Sequence, residues 1–234
     1  MNATSVFAAV SILATSACGV RERPPVDSPV VAPSKILDFS FLYSENCAGC
    51  HGQGGKGGAA IALGDPVYLA IADDTAMRTV TDKGVDGTAM PAFAQSSGGL
   101  LTSQQIDVIV RGIRARWAMP DVLRGADPPP YAAQAAGDPA RGAGVYDTFC
   151  SSCHGTGGRG GNRASSIVDP SYLALVSEQG LRTTVIVGRP KIGFPDWRAD
   201  VPGKPMSAEN VSDVVAWLIA QRSQTKVTQI GGSR

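Results

Sequence analysis

Only two histidines occur in this chain, and each closes the same short unit: Cys47-Ala-Gly-Cys50-His51 and Cys150-Ser-Ser-Cys153-His154. A glycine-rich tail follows both, so that CAGCHGQGGKGG is echoed by CSSCHGTGGRGG. The units take four of the five cysteines and leave Cys18 alone near the N-terminus.

Three chemistries use closely spaced cysteines. A thioredoxin-like dithiol sits in a βαβ context and needs no histidine directly after it. A structural zinc site needs four ligands, and each unit offers three. Covalent attachment of haem c remains: one helical turn lets two thiols reach the porphyrin edge, and the next residue sets an imidazole under the iron. The expectation is two haem c groups, bound through Cys47, Cys50, Cys150 and Cys153, with His51 and His154 as axial iron ligands.

Repetition extends beyond these units. Asp65-Pro-Val-Tyr68-Leu matches Asp169-Pro-Ser-Tyr172-Leu, Arg78-Thr-Val matches Arg182-Thr-Thr, and Gly84 falls opposite Gly188. The expected layout is a signal peptide over 1–17, a proline-rich tether over 18–34, a first copy over 35–118, a linker over 119–136, a second copy over 137–224 and a tail over 225–234. Met1 to Ala17 carries no charge, and its apolar core is too short to span a bilayer, as a secretory segment requires. The run RERPPVDSPVVAP cannot bury a core and reads as a stiffened spacer.

Within each copy the pattern is helical. Leu37, Phe41 and Leu42 lead into the first haem unit, and Val145, Tyr146 and Phe149 into the second. Middle helices are expected over Tyr68 to Thr81 and Tyr172 to Val187. Thr102-Ser-Gln-Gln105 is a capping box before Ile106, Ile109, Val110, Ile113 and Trp117; Ser207 is the matching cap before Val211, Val214, Val215 and Leu218. Domains this small bury little surface unaided, so a flat apolar porphyrin would complete each core.

On these residues each copy resembles a small cytochrome c domain, and the whole resembles a tandem dihaem cytochrome c. The resemblance implies an all-α fold of two tandem domains, each a few helices around a covalent haem, with a methionine sulfur as the usual sixth iron ligand. Gly87-Thr-Ala-Met90-Pro91 fits that ligand loop and marks Met90 as an axial ligand. In the second copy Phe194 stands where Met90 stands, and phenylalanine cannot ligate iron. Met206, in Gly203-Lys-Pro205-Met206-Ser207, is the remaining candidate axial ligand; its alternative role is an apolar residue before the Ser207 cap, opposite Leu100 or Leu101. Phe39 occupies the position of Gly142, where small residues in this family let the first and last helices cross closely.

The resemblance also implies export, because haem is attached outside the bacterial cytoplasm. The residues before Cys18 resemble a bacterial lipoprotein cleavage box, which implies lipidation of Cys18 and a location in the periplasm or on the outer face of the cytoplasmic membrane; ordinary cleavage near Ala17 is the alternative. A net charge of +1 gives no footprint for nucleic acid. The leading functional expectation is an electron carrier between a redox donor and acceptor, more a carrier than an enzyme. The alternatives are a peroxidase-like or gas-binding dihaem enzyme with an open second haem, and a subunit docked on a quinol-oxidising complex or terminal oxidase. Asp196, Arg198 and Glu209 are the charges open to acid–base work in the enzyme alternative.

Overall fold

The structure, a computed structural model, describes residues 31–198 and 204–230. The expected signal peptide, Cys18 and nearly all of the tether lie outside the described residues. The chain divides into a unit over Met1–Ala32 and a unit over Pro33–Arg234, and the second contains both copies of the repeat.

The first copy runs α1 (Phe39–Asn46), α2 (Ala48–His51), α3 (Pro66–Ile71), α4 (Asp74–Lys83) and α5 (Ser103–Trp117). The second repeats it with α6 (Pro139–Phe149), α7 (Ser151–His154), α8 (Pro170–Leu175), α9 (Glu178–Val187) and α10 (Ala208–Ile230). No strand occurs among the described residues, so the all-α expectation holds. Helix α10 continues past the expected end of the second copy at 224.

Each expected middle helix is two helices. Asp65 caps α3 through Val67 and Tyr68 N–H, and Asp73 then opens α4 by accepting from Ala76 N–H at 2.7 Å. In the second copy Asp169 and Ser177 do the same for α8 and α9. A side chain that satisfies the free N–H groups of a new helix makes a break at Ala72 and Val176 cheap. The carbonyls exposed there are covered by arginines from different positions: Arg114 reaches Leu69 and Ala72 oxygens at 2.6 and 2.7 Å, and Arg222 reaches the Val176 oxygen.

The last helices start with reciprocal caps. Thr102 and Gln105 close a capping box on α5, and Ser207 and Asn210 exchange equivalent bonds at 3.0 and 3.1 Å on α10. Gln105 is itself buried and spends its amide N–H on the carbonyls of Pro33 and Ile36, fastening the start of the first copy to α5.

First and last helices of each copy cross closely, with the small residue on opposite partners. In the first copy Gly112 of α5 faces Phe39 of α1, whose ring fills the space a Gly112 side chain would need. In the second, Gly142 of α6 lies against the Asp213 carbonyl and Trp217 of α10. The departure noted at Phe39 is thereby compensated across the helix pair. Trp217 stacks on Tyr146 with ring centroids 4.4 Å apart; Trp117, five residues further along its own helix, meets Tyr43 edge-on at 5.1 Å.

The linker is fastened to the second copy by Arg182, which is buried at 2 % exposure. Its guanidinium donates to the carbonyls of Pro130 and Tyr131 at 2.8 to 3.1 Å and to Ser212 Oγ at 3.1 Å. The matching Arg78 pairs instead with Asp107 and Ser103 of its own last helix. Ser212 occupies the place of Asp107, so the second arginine has no carboxylate there and turns its fork to linker carbonyls.

Candidate haem sites

Each Cys-x-x-Cys-His unit forms one helical turn at the end of the preceding helix. The Cys47 carbonyl accepts from Cys50 and His51 N–H at 3.3 and 2.9 Å, and the Cys150 carbonyl accepts from Cys153 and His154 at 3.1 and 2.9 Å. Tyr43 Oη donates to the Gly52 carbonyl at 3.0 Å and Tyr146 Oη to the Gly155 carbonyl at 2.5 Å, tying the turn after each histidine to the first helix of its copy.

None of the four cysteines is paired in a disulfide. Burial, with a smaller contribution from the neighbouring Cys50, pushes the Cys47 thiol up to about 12; burial and Cys153 push Cys150 up to about 11.

His51 is buried at 8 % exposure, and burial lowers its pKa against the opposing pull of the Ile61 carbonyl. Its Nδ1–H donates to Ile61 O at 2.8 Å, which leaves the lone pair on Nε2. That Nε2 is buried and has no hydrogen-bond partner among the described residues. A buried nitrogen left unpaired is costly unless it has another use, and an oriented neutral imidazole with a free lone pair is the donor that iron requires. His154 repeats the arrangement through Nδ1 to Ser165 O at 3.0 Å, in a more exposed setting. The residues present fit a covalently held haem.

The loops that follow α4 and α9 are built on one register. Gly84 and Gly188 have positive φ of 71° and 62°, and a Cβ on either would collide with the loop backbone, at Met90 to Ala92 in one case and at Pro195 and Asp196 in the other. The N–H after each glycine closes the loop: Val85 donates to Met90 O at 3.0 Å, and Arg189 to Phe194 O at 2.8 Å. Phe194 thus holds the place of Met90 in three dimensions. Its ring stacks on that of His154, with centroids 5.6 Å apart and planes at 20°.

Met206 stands elsewhere. Its N–H donates to Trp197 O at 2.8 Å, just as Leu101 N–H donates to Phe93 O at 2.8 Å; both side chains are buried to 5 % exposure, and both directly precede a helix cap. Met206 is the counterpart of Leu101, in the apolar position before the cap, and not of Met90. Met77 is buried in the core, whereas Met119 is exposed in the linker. Asp196 and Arg198 pair with each other, with Arg198 over the Trp197 ring at 4.6 Å, and Glu209 lies 3.4 Å from Arg141.

A cavity of about 290 Å³ lies between the copies. It is lined by the loop that carries Ile61 on one side and by α9 and the turn through Arg189 and Ile192 on the other. Sequence reasoning missed this juxtaposition, because nothing local in either copy encodes it.

A histidine-closed dithiol turn on a helical bundle, with a glycine-started loop ahead of the last helix, is the arrangement of a c-type cytochrome domain. A family model described as "Cytochrome C oxidase, cbb3-type, subunit III" matches residues 39–111 and 137–218, and the chain belongs to that family, which implies covalently bound haem c. The chain is 33 % identical over 173 residues to the cbb3-type cytochrome c oxidase subunit CcoP of Azospirillum sp. (strain B510), covering 66 % of this chain and 53 % of that protein. It is 24 % identical over 192 residues to the cytochrome bc1 complex cytochrome c subunit of Mycobacterium bovis, covering 82 % and 64 %. The chain thus spans about half to two thirds of the length of these curated relatives. A solved chain of the Kuenenia stuttgartiensis reducing HAO-like protein complex aligns over 82 % of this chain and 99 % of its own, at 14 % identity and a TM-score of 0.42.

Proposed function

We propose that the chain is a dihaem c-type cytochrome that relays electrons between a redox donor and acceptor in an exported respiratory chain, as a subunit of an electron-transfer complex. The observation that carries this is the buried, unpartnered His51 Nε2, set by the Nδ1 bond to Ile61 and repeated in outline at His154. Cys47 and Cys50 would hold one haem c with His51 and Met90 as its axial ligands; Cys150 and Cys153 would hold the other with His154. A haem c so bound supplies a one-electron ferric/ferrous couple. The protein's share is positional. The Ile61 and Ser165 carbonyls fix the ring orientation and tautomer of each histidine, and the two tyrosines hold the turns behind them.

The shared cavity supports exchange between the copies, because it sets the Ile61 loop of one site opposite the Arg189 turn of the other. The relatives' names, an oxidase subunit and a bc1-complex subunit, support a partner-bound role over a free carrier. The pairing of Asp196 with Arg198 and of Glu209 with Arg141 leaves these charges engaged and favours the carrier over a peroxidase-like enzyme. Folding units at 35–118 and 137–224, a cleaved segment over 1–17 and a lipidated Cys18 belong to the same proposal. Among the described residues no helix is long and apolar enough to cross a membrane.

The test is haem content of the full chain produced with haem-attachment machinery. Two haems per chain are expected, with one lost in a Cys47→Ala/Cys50→Ala variant and the other in Cys150→Ala/Cys153→Ala. An unchanged haem content in either variant would refute the assignment of that unit. Palmitate labelling that survives Cys18→Ser would remove the lipid anchor.

A further inference from the structure

We propose that the second haem site is a binding site for a small neutral diatomic ligand, carbon monoxide or nitric oxide in chemical class, because the protein presents a phenyl ring where the first site presents a sulfur. This rests on the reading that both units hold haem.

Three observations lead to it. The Gly84 and Gly188 turns share one register, and the bonds Val85 to Met90 and Arg189 to Phe194 span the same number of residues. No shift of alignment can therefore bring another residue into the Met90 place. The residue in that place is also tied down in both loops, since Phe194 N–H returns a bond to Arg189 O at 3.2 Å and Met90 N–H bonds to Thr88 Oγ1 at 3.2 Å. The stack of Phe194 on His154 shows that this loop belongs to the His154 site.

The other sulfur candidate is committed elsewhere. Met206 is held at the Leu101 position by its bond to Trp197 O, and in the first copy that position is core packing while Met90 lies in the loop after α4.

The chemistry around the site selects the ligand class. Peroxide cleavage needs a proton donor and acceptor near the iron, but Asp196 is spent on Arg198, and Glu209, in the first turn of α10, pairs with Arg141. Arg189 lines the cavity between the copies. An apolar ring favours a ligand that binds through iron alone and needs no hydrogen bond from the pocket.

The experiment uses the haem-loaded full chain, reduced with dithionite and titrated with carbon monoxide, with haem counted independently. Binding to about half of the haem is expected in the unaltered protein, as one open and one sulfur-ligated site require. Phe194→Met should abolish that binding without loss of haem. Met90→Ala should raise it about twofold by opening the first site, in a background that does not touch the second fold. Met206→Leu should leave it unchanged. Two haems per chain with no carbon monoxide bound would overturn this inference and leave the dihaem reading standing; one haem per chain would overturn both. Undiminished binding in Phe194→Met, or a gain in Met206→Leu, would likewise overturn it.

Discussion

Phe39 of α1 occupies the space that a side chain on Gly112 of α5 would need, and the second copy inverts the pair, with Gly142 on the first helix and Trp217 on the last. The ring of Phe39 also meets Tyr43 and Trp117, each at 5.8 Å between centroids, so it is the hub of the first copy's aromatic cluster. Gly112→Ala should therefore destabilise the protein by about 1–3 kcal/mol through overpacking. In a double-mutant cycle with Phe39→Ala, measured by denaturant unfolding of the haem-loaded protein, the double variant should lose less than the sum of the two single losses. Strict additivity would show that the two residues do not share this space.

Arg182 is expected to be the fastening of the linker. Arg182→Leu strips hydrogen bonds from the Pro130 and Tyr131 carbonyls and should cost about 2 kcal/mol. Limited proteolysis should then cut between α5 and α6. The matching Arg78→Leu should leave the linker as resistant as before, since Arg78 bonds only within its own copy. Equal cleavage in both variants would argue against the clamp.

Acid should loosen the crossing of α6 and α10. Hydrogen bonds from Arg141 hold the Asp213 carboxyl below the usual carboxylate range, with a further N–H from Asp138 at 2.7 Å. A depressed native pKa means that the contribution is complete above the unfolded value of about 4 and is lost as pH falls through the native value. Stability profiles against pH should thus drop on the acid side, and the part of that drop due to this group should vanish in Asp213→Asn. An identical acid profile in the variant would contradict the assignment.

The two methionines should separate spectroscopically. Met90→Ala is expected to remove the long-wavelength sulfur-to-iron absorption while the thioether-held haem is retained. Met206→Leu should preserve the spectrum and cost less than about 1.5 kcal/mol, as a volume-conserving core change. Loss of the band in the second variant would reassign Met206 as a ligand.

Much of this was legible in the sequence because it is local. The Cys-x-x-Cys-His turns, the Thr102 and Ser207 caps and the matching of Phe194 to Met90 all depend on residues a few positions apart. The breaks at Ala72 and Val176 were also encoded locally, by Asp73 and Ser177, but a continuous apolar pattern masked the caps. The exchange at the helix crossings was half visible: Phe39 stood out, yet its compensation at Gly112 lies on a distant helix that only packing brings near. The Arg182 clamp was hidden for the same reason, since its partners are backbone carbonyls, which carry no sequence signature. Met206 had two readings in the sequence, and its bond to Trp197 gives it the register of Leu101.

The inverted crossing has a further consequence for a chain that carries the same fold twice. Were α1 to settle against α10, Phe39 and Trp217 would compete for one space; were α6 to settle against α5, Gly142 would meet Gly112 across a hollow. Repeats so alike in caps and loops are at risk of trading helices, within one chain or between neighbours, as they fold. Here lock and key differ between the halves, so each terminal helix can recognise its own partner and reject its twin's.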